Sequence, residues 1–113
     1  MSDIETKATE TKATETKEIG VGTYKFKNPT EINGEKVTEI NYDLENMTGE
    51  DVAIAVRELA KHNTVVTFAE TDQNYHAALF AQAAGIAFED VKRFKLKDYN
   101  KVTSLVRDFF LNE

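Results

Sequence analysis

Asn33-Gly34 stands between two runs of alternating apolar and polar residues, TYKFKNPTEI before it and EKVTEINYDL after it. A two-residue link of this kind supplies positive φ at both positions with little steric cost. It therefore closes a type I′ turn and folds the runs into an antiparallel hairpin. Tyr24 and Phe26 alternate with lysines, and Ile40, Tyr42 and Leu44 alternate with Asn41 and Asp43, so each ribbon has one apolar face with a period of two. Pro29 has no N–H to give to a ladder. It must lie on an edge or outside the regular pairing, and the first strand is expected to be interrupted there or to face solvent.

From Thr48 the apolar period becomes helical. Thr48 can cap the free amides of a first helix, with Glu50 and Asp51 in its first turn and Asp51 three residues on, as in a capping box. Val52, Ala53, Val56, Leu59 and Ala60 form its apolar face, and His62-Asn63 ends it. The segment TVVTFAET, with Val65, Val66 and Phe68, fits either a third strand or an apolar connection, and the connection is the preferred reading. Thr71 or Asp72 can cap a second helix over DQNYHAALFAQAAG, with Tyr75, Ala78, Leu79, Ala83 and Ile86 at helical spacing and Gly85 as its stop. Alanines at 77, 78, 81, 83 and 84 make this helix thin and open to close approach. AFEDVKRFKL then predicts a short amphipathic turn or helix presenting Phe88, Val91 and Phe94. Asp98 is expected to cap a last helix that carries Tyr99, Val102, Leu105, Val106, Phe109, Phe110 and Leu111. A terminal phenylalanine pair has to be covered by its own domain or by a partner. The fold class expected is α+β and mostly helical, an N-terminal hairpin followed by three main helices, with residues 21–113 as one domain.

Residues 1–20 are a different kind of sequence. The pentad TKATE recurs through ETKATETKATETKE, a five-residue period that matches neither helix nor strand and contains no side chain large enough for a core. A disordered, low-complexity tail acting as a tether is expected. Gly20-Val21-Gly22 reads as a flexible junction. Of 113 residues, roughly 90 remain to fold, a size at which stability is marginal and a partner or self-association is a natural supplement.

The chain has no cysteine, which excludes disulfides, thiolate nucleophiles and zinc ribbons and makes cytoplasm the default compartment. No secretory signal and no stretch long enough to cross a bilayer is seen, so no membrane association is expected. The net charge is −6, and since residues 1–18 contribute five acids against three lysines, the folded part is acidic too. That argues against general binding to phosphate backbones. His62 and His76 lack the spacing that would put two imidazoles on one metal, and structural or surface roles are expected for them. Glu50-Asp51 and Glu89-Asp90 are sequence neighbours that diverge on a helix and do not make an acid/base pair. No calcium loop, phosphate loop or nucleophile elbow is present. No catalytic, cofactor or metal residues are therefore expected, and the chain should act by binding proteins. Lys92, Arg93, Lys95, Lys97 and Lys101 gather near Phe94 and Tyr99, as in nucleic-acid sites. On an acidic domain, a solvated face whose lysine stems cover the aromatics is preferred, with docking of an acidic protein as a third reading.

The order of YKFKNPTEINGEKVTEINYDL, then MTGEDV, then AAGIAFEDVKRFKLKDYNKVTSLVRDFFL resembles the tail assembly chaperones of long-tailed double-stranded DNA phages and phage-derived tail particles, over residues 23–111. The resemblance implies a non-enzymatic factor that binds the tape measure protein, keeps it soluble, helps recruit tail tube protein, and then leaves. It would act in the cytoplasm of the bacterial host, be absent from the mature virion, and form a possible homo-oligomer. Gly34, Thr48, Gly49, Asp51, Gly85, Asp98 and Tyr99 match its motifs and read as turn, cap and packing residues. The TKATE leader departs from it. The binding surface is expected among the alanine-thinned second helix and the aromatic last helix, by helix-in-groove contacts. The faces singled out are Val52, Val56 and Leu59, and Val102, Val106, Phe109 and Phe110, with the alternative that both are core. The competing function is a small structural subunit retained in the tail or connector.

Overall fold

Asn33 and Gly34 take φ values of 56° and 81°, and the turn they make joins β1 (Val21–Ile32) to β2 (Glu35–Asp43). The computed structural model describes residues 20–64 and 72–111. The TKATE tail and the choice between strand and connection at TVVTFAET lie outside the described residues. Four helices follow the hairpin: α1 (Gly49–Lys61), α2 (Gln73–Ala84), α3 (Phe88–Lys92) and α4 (Leu96–Leu111). The three main helices expected are α1, α2 and α4, with α3 as the short amphipathic piece between the last two.

The strands pair antiparallel, Tyr24 opposite Ile40 and Ile32 opposite Glu35, but the register slips between Lys25 and Thr30. Lys25 faces Glu39 and Thr30 faces Val37, so Phe26, Lys27, Asn28 and Pro29 together oppose Thr38. This is the interruption that Pro29 requires, a wide bulge that frees backbone amides from the ladder. Freed amides need other acceptors. Asp98 provides them: its Oδ1 accepts from the Lys27 N–H at 2.8 Å and its Oδ2 from the Asn28 N–H at 2.9 Å. The Tyr24 hydroxyl donates to Oδ1 at 2.5 Å. The role expected for Asp98 needs correcting here. α4 begins at Leu96, so Asp98 lies within the first turn and reaches across to the hairpin instead of capping its own helix. It is fully buried.

The helix ends obey local chemistry. Thr48 and Asp51 form the capping box of α1, the Thr48 N–H donating to Asp51 Oδ2 at 2.9 Å and the Asp51 N–H to Thr48 Oγ1 at 3.4 Å. Asp72 caps α2 by accepting from the Tyr75 N–H at 3.0 Å, and Gly85 ends it in the left-handed region at φ 72°. Two expected faces shift. On α1 the residues turned inward are Ala55 and Leu59, while Val56 is 44% exposed. On α2 every residue from Tyr75 to Ala81 is buried, His76 among them, so the middle of this helix is covered on all sides and has no solvent face. The reason is position: α2 touches β2, α1, α3 and α4. Its alanines 77, 78 and 81, each at most 2% exposed, let those neighbours approach closely.

Aromatic rings join the hairpin to this hub. Phe26 meets Phe94 edge-on at 4.8 Å between centroids, Phe94 meets Phe80 at 6.5 Å, and Tyr42 lies 5.7 Å from Phe80. The bulge thus delivers Phe26 into the core while Asp98 holds the backbone beside it.

Burial pushes the Asp98 carboxyl upward, but the donors Tyr24, Lys27 and Asn28 outweigh it, leaving the group below its ordinary 3.8. A folded-state value below the unfolded one adds stability above the unfolded value and loses it as pH falls through the folded value. Asp98→Asn should therefore cost about 2–4 kcal/mol in urea unfolding at pH 7, because the new amide cannot accept from the Asn28 N–H. The gap between variant and wild type should narrow below about pH 4.

Candidate functional site

The last turns of α4 build a partly exposed apolar edge. Leu111 is 62% exposed, and Phe109 and Phe110 are half-buried. The phenylalanine pair has cover from its own domain, but only in part. The Phe110 ring stacks on Tyr75 at 6.3 Å with 10° between planes and lies 6.0 Å from the His76 ring. Phe109 rests on Gly20, where a Cβ would sit 2.6 Å from its Cδ1. Gly20 has φ +94°, and its carbonyl accepts from the Leu44 N–H at 2.6 Å. It is accordingly a packing residue and not the flexible junction expected from its neighbours.

The seven residues singled out in the sequence separate by depth. Leu59, Val102 and Val106 are 0% exposed and lie in the chain's own core. Val52, Phe109 and Phe110 are half-buried and pack against that core with part of their surface. Val56 is open to solvent on α1. α2, buried throughout its middle, offers no such face, so the expected binding surface on the alanine-thinned helix needs correcting. One exposed residue was missed: Leu96, 71% exposed at the start of α4. Its signal was a leucine set between Lys95 and Lys97, where a core residue is unexpected.

The basic cluster is dispersed. Lys92 Nζ bonds Asn74 Oδ1 at 2.8 Å and lies over the Phe88 and Tyr99 rings at 5.7 and 5.2 Å. Arg93 pairs with Asp90. Phe94 is buried and cannot stack on a base. Lys27, Lys97 and Lys101 instead border a hollow of about 450 Å³ with Tyr24, Asp98, Asn100 and Ser104. Their ammonium groups give that hollow an attraction for carboxylates on an otherwise acidic chain. Among the described residues one group, Glu58, His62 and Glu89, brings ligand-type atoms together. No helix among the described residues is long and apolar enough to cross a membrane.

This arrangement offers exposed aliphatic and aromatic edges on a small buried core, a geometry for protein contact. The family model for phage tail assembly chaperone proteins, E, or 41 or 14, matches residues 23–111, from β1 to the end of α4. The chain belongs to the phage tail assembly chaperones. No curated protein and no solved structure matches it. Membership gives this chaperone protein partners in tail assembly, a non-enzymatic kind of role, and a place of action in the host during assembly. The matched span begins just after Gly20-Val21-Gly22 and leaves out the TKATE leader, as the sequence resemblance did.

Gly20→Ala tests the contact that fixes the chaperone's aromatic edge. A side chain there combines positive φ with a collision against Phe109, so a loss of about 1–3 kcal/mol is expected in denaturant unfolding. A change in near-ultraviolet circular dichroism should accompany it as Phe109 is displaced.

Proposed function

We propose that this chaperone binds the tape measure protein, keeps it soluble in the cytoplasm of the bacterial host, helps recruit tail tube subunits, and is not retained in the mature virion. The observation that carries the reading is the set of apolar side chains left in solvent at Val56 on α1 and at Leu96 and Leu111 at the two ends of α4, the last of them following the half-covered Phe109 and Phe110. A long amphipathic chain, as the resemblance implies for the tape measure, exposes an apolar stripe that aggregates unless covered. Short apolar edges on a charged carrier cover such a stripe by helix-in-groove contacts. In this proposal Val52, Val56, Phe109, Phe110 and Leu111 make the contact. Leu59, Val102 and Val106 act beneath them by holding the helices in place. Lys27, Lys97 and Lys101 receive acidic side chains of the partner and fix its orientation more than they add affinity.

Co-expression with the tape measure protein tests this. Val56→Glu and Leu111→Glu alter exposed positions and should leave melting temperature within a few degrees of wild type. Each should lower the recovered soluble complex at least about tenfold, as loss of an apolar anchor does. A wild-type chain that leaves the tape measure insoluble, or charge variants that perform like wild type, would overturn the proposal. Phe109→Glu is the contrasting variant, expected to lose stability as well, because its ring rests on Gly20. Detection of the chain in purified particles would favour the retained structural subunit.

A further inference from the structure

We propose that Glu58, His62 and Glu89 form a binding site for a divalent transition cation of the zinc type, joining the end of α1 to the first turn of α3. Glu58 and His62 lie four residues apart, so the last turn of α1 puts both on one face. Glu89 comes from α3, the second residue of that helix. His62 Nε2 stands 3.3 Å from Glu89 Oε2 and 3.7 Å from Glu58 Oε2, and one ligand atom from each of the three residues lies within 4.8 Å of the others. Zinc bonds of 2.0–2.2 Å to nitrogen and oxygen in a tetrahedron imply ligand-to-ligand edges of roughly 3.3–3.6 Å. The two separations from His62 fall near those edges, and the two carboxylates, whose ligand atoms lie within 4.8 Å of each other, would draw together to close three ligands on one ion.

The imidazole is held before any ion arrives. The backbone N–H of His62 donates to the Leu59 carbonyl at 2.9 Å and closes the end of α1, while the ring itself leans on buried Phe88, the residue before Glu89, at 5.1 Å between centroids. Lys61 approaches the other oxygen of Glu58, Oε1, at 3.7 Å, leaving Oε2 to the site. The group is partly exposed, with side-chain exposures of 36% for His62, 27% for Glu58 and 49% for Glu89, so an ion can enter and keep a water as fourth ligand. The two carboxylates and one neutral imidazole match the donor set that zinc and its neighbours accept. A bound ion would cross-link α1 and α3 on the side of the α2 hub, and its affinity would appear as added stability.

Calorimetric titration of the full chain with zinc chloride, together with thermal melts in zinc and in EDTA, tests the site. Wild type should bind one equivalent saturably and melt at a higher temperature with zinc than with EDTA. His62→Gln and Glu89→Gln should each weaken binding more than about tenfold and abolish the zinc-dependent shift, while keeping the wild-type circular dichroism spectrum. Equal binding by wild type and His62→Gln would place the ion elsewhere and overturn the proposal. A melting temperature of wild type indifferent to zinc and EDTA would reduce the cluster to an ion pair, with the same consequence.

Discussion

Asp98 ties the first turn of α4 to amides and a hydroxyl that stand 70 to 74 residues earlier in the chain. Without that carboxylate the bulge in β1 would leave the part-buried N–H groups of Lys27 and Asn28 without their acceptor, and each would bear part of the cost of an unpaired donor. The contact works in both directions. Donors make burial of the charge tolerable, and the charge gives the bulge its shape, which in turn aims Phe26 at Phe94. Desolvation, then the hydrogen bond to Asp98 and its negative charge, raise the Tyr24 hydroxyl well above its usual range. Tyr24 is therefore held in its protonated, donating form.

The hairpin and α4 that Asp98 joins both belong to the shell around α2, which packs on β2 and α4. A chain with so few folded residues has one core, and here that core is arranged around a helix of small residues that its neighbours can approach on every side. Ala55 of α1 and Ala77, Ala78 and Ala81 of α2 reduce the distance between helices, so bulk is concentrated in Phe80, Leu79 and Leu59, all at most 1% exposed. Dense packing of this sort leaves little capacity to absorb larger side chains. It also means that the middle of α2 is used up by the fold, and that among the described residues the exposed large apolar side chains lie on α1 and α4.

The parts of this fold that sequence made legible are those decided locally. Asn33-Gly34, the Thr48–Asp51 capping box, Asp72 and Gly85 each settle their own backbone within four residues, and the α+β order follows from them. Pro29 gave the position of the irregularity in β1 for the same reason. The partner of that irregularity was hidden, because an aspartate near a helix start reads as a cap and nothing local shows that it faces a strand. Helix faces were half legible. A spacing of four favours Val52, Val56 and Leu59 as a stripe, but α1 is set by Ala55 and Leu59 against α2, which rotates Val56 outward. For α2 the helical spacing of Tyr75, Ala78, Leu79, Ala83 and Ile86 suggested one apolar face, whereas every residue from Tyr75 to Ala81 is buried. His62 was legible only as the end of α1 with a structural or surface role, and the neighbour Glu89 was hidden because it arrives on another helix.

A chaperone for an apolar chain has two opposed requirements: exposed apolar surface, and no aggregation of its own. Here the exposed residues are separated and flanked by charge. Val56 adjoins Arg57, which reaches Glu50 at 3.8 Å. Leu96 lies between Lys95 and Lys97, and Leu111 ends a helix that bears Arg107 and Asp108. No single one of these makes a patch large enough to drive self-association, and the net charge of −6 opposes it further. Each is correspondingly weak as a binding element. Useful affinity then requires several to engage together, which multiplies through effective concentration only when the partner is long enough to span them. A short ligand cannot meet that condition. A long chain with a repeating apolar stripe can, and that is the condition a partner must meet to engage weak elements on both α1 and α4.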